Sequence, residues 1–175
     1  MRKLFTLLFL FSIFFSCYAK AAESVAEYPY TENFDDTEAG MMPEGWATAG
    51  SSTFSVSSAM DYASQAQSGA NVIVSGYPQT SNRTDVAFSP MLEMKGGVEY
   101  TMTVWVMAKN FAQNGRNPGY KITVGNAQTT EAQTVELAAE EGECDWKEVT
   151  VTFTPEADGQ YCFGLWCNSV LASAG

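Results

Sequence analysis

The sequence predicts an all-β chain, an antiparallel sandwich or barrel, on three observations. From Thr53 onward, short runs of β-branched and aromatic residues recur at roughly the 8–12-residue spacing of small sandwiches. Within those runs apolar and polar residues alternate, the period-two signature of a strand buried on one face. Between them stand Gly, Pro, Asn and Asp, the residues that turn a chain.

Residues 53–57 alternate with period two. Residues 71–74 form a short apolar strand ended by Ser75 and Gly76. Residues 85–94 carry Val86, Phe88, Leu92 and Met94, and Pro90 forces a break or an edge position because it has no N–H to pair. Gly96 and Gly97 make a turn. The clearest strand follows, with Val98, Tyr100, Met102, Val104 and Val106 on one face and Glu99, Thr101, Thr103, Trp105 and Met107 on the other. Residues 114–119 are a dense turn cluster. Residues 120–124 are a strand closed by Gly125 and Asn126, and residues 134–137 a weaker one. Residues 146–154 turn Val149, Val151 and Phe153 inward. After a turn at 155–159, residues 160–168 place Tyr161, Phe163 and Leu165 on one face. Only residues 131–143 have a helical composition, and Thr134, Val135 and Gly142 argue against a helix there. No repeat or linker divides the chain, so residues 22–175 are expected to form a single β-sandwich domain.

The N-terminus has its own pattern. Arg2 and Lys3 precede a run from Leu4 to Phe15 that is apolar apart from Thr6 and Ser12, and small residues follow. This is the layout of a secretory signal peptide over residues 1–21, too short for the roughly 20 residues that span a bilayer. Two processing readings stay open. Ala19-Lys20-Ala21 fits the small-x-small rule and makes Ala22 the new N-terminus. Phe15-Ser16-Cys17 loosely resembles a lipobox that would lipidate Cys17 and tether the protein to a membrane, although Phe15 stands where a small or aliphatic residue is usual. Both readings place the protein outside the cytoplasm, secreted or at the cell surface.

Composition excludes several function classes. The net charge is −11, and removing residues 1–21 takes away Arg2, Lys3 and Lys20 but no acidic residue. A chain this acidic repels phosphate backbones, so nucleic acid is not an expected partner. Without histidine there is no Ser-His-Asp or Cys-His nucleophile and no His-ligated metal. Carboxylates alone could hydrolyse glycans, but no spacing singles out a pair, and no catalytic residue is assigned. Cys144, Cys162 and Cys167 remain after processing. A disulfide involving Cys144 and three buried thiols are both open, the former favoured by an oxidising compartment.

With the strands in place, a resemblance becomes legible. Thr31-Glu32-Asn33-Phe34-Asp35 followed by Pro43-Glu44-Gly45-Trp46 resembles the opening of the cleaved-adhesin and choice-of-anchor domains of secreted bacterial surface proteins. Further matches follow in order: Ser89-Pro90, Tyr100-Thr101, Asp145-Trp146, and residues 158–164 leading to Asn168-Ser169. The resemblance implies a jelly-roll β-sandwich akin to carbohydrate-binding modules, acting in adhesion or as an accessory domain, with a glycan or a host or surface protein as partner. It also implies structural calcium, for which Glu32 and Asp35 would be the ligands near the first strand; a solvated acidic loop is the plainer reading. Such domains usually close with a further strand carrying an Asp pair. This sequence ends at Ala172-Ser173-Ala174-Gly175, so a sandwich lacking its final strand is expected, from a fragment of a longer protein.

Sugar-binding modules of this architecture stack a pyranose on a tryptophan beside polar side chains. Trp105 shares a face with Thr101 and Thr103, and Trp166 with Gly164 and Asn168; Trp105, Trp166 and Asn168 are therefore the candidate ligand-binding residues. Packing in a second core layer is the alternative for both rings. Trp46 is expected to plug the core behind the Pro43–Gly45 turn, and Glu140, Glu141, Glu143 and Asp145 to form a surface loop. The expected function is a secreted, non-catalytic adhesin-like or carbohydrate-binding module. The alternatives are a carboxylate-dependent glycan hydrolase and a structural spacer.

Overall fold

The computed structural model describes residues 24–50, 53–62, 66–75, 83–109 and 116–171. The expected signal segment, with Cys17, and residues 172–175 lie outside them. The strands are β1 (Ala47–Ala49), β2 (Phe54–Ser58), β3 (Asn71–Ser75), β4 (Arg83–Phe88), β5 (Leu92–Met94), β6 (Tyr100–Ala108), β7 (Arg116–Asn117), β8 (Gly119–Gly125), β9 (Val135–Glu141), β10 (Cys144–Phe153) and β11 (Gly159–Leu171). One 3-10 turn (Ala59–Tyr62) follows β2.

β11 is the spine of the larger sheet, whose order is β1-β4-β11-β8-β9. It is antiparallel to β4 on one side, with Gly164 opposite Phe88, and to β8 on the other, with Trp166 opposite Lys121. β5 and β7 pair with its two ends. The break between β4 and β5 falls at Pro90, as its missing N–H dictates. Ser89 spans the gap: its N–H donates to the Phe163 carbonyl at 2.9 Å, and its hydroxyl accepts the Phe163 N–H at 3.0 Å. β6 and β10 pair as the second layer, with a bulge between Cys144 and Lys147. β2 and β3 form a separate hairpin.

The core fills the space between the layers. Leu92, Met94, Ile122, Val124 and Phe163 of the larger sheet meet Val149 and Val151 of β10, with Tyr100, Met102, Val104 and Val106 of β6 packed against them. These are the residues that alternation turns inward. A second cluster lies on the opposite face of the larger sheet, where Val86, Phe88 and Cys162 are fully buried against Ala47, Ala49, Met91 and Trp166. β11 is therefore covered on both faces at its centre.

Several expectations are corrected. Val98 lies outside β6 and is 47 % exposed, because Gly97 (φ 74°) and the turn it makes occupy that position. The turn cluster at 114–119 contains β7 and the start of β8. The ambiguous stretch 131–143 is mostly the strand β9, and the edge strand β1 had no clear sequence signal. The acidic run at 140–145 is the end of β9, a turn at Gly142 (φ 104°) and the start of β10, where the chain passes from the larger sheet to the second layer. Among the described residues no disulfide joins Cys144, Cys162 or Cys167. Cys162 and Cys167 are an odd number of residues apart on one strand, so they face opposite sides. Cys144 lies on the other sheet, and packed sheets stand about 10 Å apart, beyond the usual Cα reach of a disulfide.

Candidate functional site

The two candidate tryptophans sit on opposite outer faces of the sandwich. Trp105 lies on β6, whose alternate residues Tyr100, Met102, Val104 and Val106 face the core. It therefore points outward, 37 % exposed, with Thr101 and Thr103 on the same strand. The register places Glu148, Thr150 and Thr152 of β10 directly across from Trp105, Thr103 and Thr101. Thr103 and Thr150 join their hydroxyls at 3.2 Å. Trp105 is thus a large apolar ring on a strand pair whose neighbouring outward positions carry hydroxyls and a carboxylate.

Trp166 faces outward from the larger sheet and is held more tightly. Its indole N–H donates to Thr123 Oγ1 at 2.8 Å, and that hydroxyl donates to Gln133 Oε1 at 2.7 Å. The Gln133 amide closes the chain by donating to the Ala127 carbonyl at 3.1 Å and approaching Cys162 Sγ at 3.3 Å. Burial pushes the Cys162 thiol up to about 11, against the lowering effect of the Gln133 contact. Lys121, directly across from Trp166 on β8, carries its ammonium 4.5 Å from the ring centroid. Asn168 is opposite Thr84 in the register of β11 and β4, and its side chain is outside what the structure describes. Lys121, Thr123 and Gln133 were not singled out from the sequence. The signal for the first two was present in residues 120–124, where alternation with Ile122 and Val124 puts them on the face shared with Trp166.

Glu32 and Asp35 serve the backbone. Glu32 accepts the Phe34 N–H at 2.7 Å and lies near the Tyr30 hydroxyl. One Asp35 oxygen accepts the Ala70 and Asn71 N–H groups at 2.9 and 3.0 Å, tying the N-terminal segment to the start of β3; the other faces the Asn33 amide. Gly69 (φ 66°) allows this approach, since a Cβ there would fall on the carboxylate. Calcium needs such oxygens free to converge on the ion, and here they are committed to N–H and O–H donors. As placed, the pair does not fit a calcium cage. Among the described residues no group of three or more Cys, Asp or Glu side chains could hold a metal ion.

The rest of the N-terminal motif is a packing device. Trp46 sits edge-on to Phe34, centroids 5.4 Å apart, and donates its indole N–H to the Tyr30 hydroxyl at 2.9 Å. Phe34 holds φ 67°, uncommon for a bulky residue. Asp85 is fully buried and accepts the Ser75 hydroxyl at 3.2 Å. A shallow depression at the sheet edge is lined by Val124, Gly125, Asn126, Thr134, Val135, Phe153 and Tyr161.

Comparison with known proteins comes from three directions. A family model described as a carbohydrate binding domain matches residues 26–162. Among solved structures, the chain is similar to the K1 cleaved adhesin domain of Lys-gingipain from Porphyromonas gingivalis W83, with a TM-score of 0.53 and 14 % identity over 76 % of this chain and 94 % of that one. It is also similar to the CBM22-1–GH10 modules of Clostridium thermocellum endo-1,4-beta-D-xylanase 10B, solved with xylohexaose, at a TM-score of 0.45 and 17 % identity, covering 73 % of this chain and 24 % of that one. The first likeness is one of fold: an adhesin-type β-sandwich. No curated protein sequence matches the chain.

Proposed function

The chain belongs to the carbohydrate-binding-domain family, and from that premise we propose that it is a non-catalytic glycan-binding module working through the outer face that carries Trp105. The observation behind this reading is the exposed indole itself, 37 % accessible on a strand pair whose other outward positions include Thr101, Thr103, Glu148, Thr150 and Thr152. Covering an exposed apolar ring on binding removes it from water and is favourable. A pyranose ring suits the position: its C–H face lies on the indole while its hydroxyls reach the threonine hydroxyls and the Glu148 carboxylate. Covering roughly 50 Å² of apolar surface at about 25 cal/mol per Å² contributes about 1.2 kcal/mol, close to a tenfold change in affinity.

The same reading places the protein outside the cytoplasm. The charged, apolar and small segments of residues 1–21 support export, and lipidation at Cys17 would tether the module to a membrane. The test is a glycan array probed with the purified chain and with Trp105→Ala, each checked for cooperative unfolding. Binding of neutral glycans that weakens about tenfold in the variant supports the reading. Equal binding by both proteins, or none by the folded wild-type chain, would sink it.

A further inference from the structure

The described lysines are not equivalent. Lys95 pairs with Asp158 at 2.9 Å, Lys109 with Asp145 at 2.9 Å, and Lys147 with Glu140. Among the described residues Lys121 has no carboxylate within ion-pairing distance, in a chain with more than twice as many acidic as basic residues. Its ammonium instead lies 4.5 Å from the centroid of Trp166, on the outer face of the larger sheet. The ring below is fixed by the chain of hydrogen bonds from Trp166 through Thr123 to Gln133. Glu136, opposite Thr123 on the edge strand β9, is the acidic neighbour that the register places there, and it does not pair with the lysine. A fixed aromatic floor with an uncommitted cation on it is a preorganised arrangement.

A neutral sugar stacking on that ring face would have to displace the ammonium and lose the cation–π contact. An anionic sugar needs no such exchange, because its acid group pairs with the ammonium where it stands. We propose that Lys121 and Trp166 form a second subsite that takes an acidic sugar residue, its carboxylate or sulfate on the Lys121 ammonium and its C–H edge against the indole. The inference rests on the glycan-binding family but not on the Trp105 face, which lies across the sandwich. The net charge of −11 opposes acidic polymers at long range. At 0.15 M salt that repulsion is screened beyond about 8 Å, whereas a contact ion pair survives.

The test measures binding of the full chain to three polysaccharides at 0.15 M salt: neutral galactan, the sulfated galactan carrageenan, and polygalacturonate. The proposal expects at least one acidic polymer to bind more tightly than galactan, and which one binds identifies sulfate or carboxylate as the recognised group. Lys121→Gln should weaken that binding about three- to tenfold, Lys121→Arg should retain it, and raising salt to 0.5 M should weaken it selectively. Trp105→Ala should leave it unchanged, and Lys121→Gln should leave neutral-glycan binding unchanged. Neutral binding without acidic preference overturns this subsite while leaving the Trp105 reading intact. Acidic binding indifferent to Lys121→Gln overturns it as well. Absence of all binding by the folded chain overturns this subsite, and the glycan array then decides the Trp105 reading.

Discussion

Adding a single methyl group to Gly164 tests whether the hydrogen-bond chain on the outer face is a rigid part of the fold. Gly164 sits at the centre of β11, between Phe88 and Thr123 in the register. A Cβ built there would lie 2.7 Å from Thr123 Oγ1, 2.8 Å from Gln133 Oε1 and 3.0 Å from Trp166 Nε1. Those three atoms are the hydrogen-bonded series itself, so relieving the overlap means parting them. Ordinary strand preference favours alanine over glycine by about 0.5–1 kcal/mol. Against that stand two hydrogen bonds at about 1 kcal/mol each and an overpacking cost of about 1–3 kcal/mol. The net expectation is destabilisation by about 2–4 kcal/mol, a fall in Tm of roughly 5–12 °C for a domain of this size. Urea unfolding followed by tryptophan fluorescence reads it as a lower midpoint at unchanged slope. Thr123→Ala removes one obstructing oxygen, so the double variant should cost clearly less than the sum of the singles. A neutral or stabilised Gly164→Ala, or strict additivity with Thr123→Ala, would refute the reasoning.

Asp35→Ala should destabilise by about 1–2 kcal/mol through loss of the acceptor for the Ala70 and Asn71 N–H groups. Because those oxygens are committed to the backbone, a chelator should leave the wild-type Tm unmoved, and a clear drop in calorimetry would instead point to calcium at this corner. The raised Cys162 pKa makes stability fall with alkali: the unfolded thiol ionises near its ordinary value of 9 while the folded one holds its proton to about 11, so stability is full below about pH 9 and declines as pH rises toward 11. On a Cys17→Ser/Cys144→Ser/Cys167→Ser background, iodoacetamide at pH 8 should leave the folded protein unmodified and label it in urea; labelling at equal rates in both states would contradict the buried thiol.

Most strands were legible because each has one face in a core, and burial on one face imposes period two on the residues that line it. Pro90 marked the break between β4 and β5 for the same local reason: a missing donor cannot be hidden. Elements held by long-range pairing were less legible. β1 is three residues long and stands because β4 offers it an edge. β9 contains Ala138, Ala139 and Glu140, which suit a helix in isolation, and becomes a strand because β8 pairs with it. The site shows the same division. Alternation put Trp105 and Trp166 on polar faces, but not that those faces point in opposite directions, which depends on the sheet each strand joins. Lys121 differs from Lys95 and Lys109 through partners distant in sequence, as when Asp158 meets Lys95 across 63 residues. The family resemblance makes Glu32 and Asp35 candidate calcium ligands, whereas the backbone partners of Asp35 at 70 and 71 are fixed only by the fold.

The central claim, that this family member meets glycan through Trp105, is tested most directly by following its four tryptophan indole N–H resonances during titration with cellohexaose, xylohexaose and a galactan oligosaccharide. Each indole is assigned by single substitution. The account predicts that at least one neutral oligosaccharide shifts the Trp105 signal saturably while the hydrogen-bonded indoles of Trp46 and Trp166 stay in place. A saturable shift at any other tryptophan with Trp105 unmoved, or no shift with any of the three sugars, would contradict it.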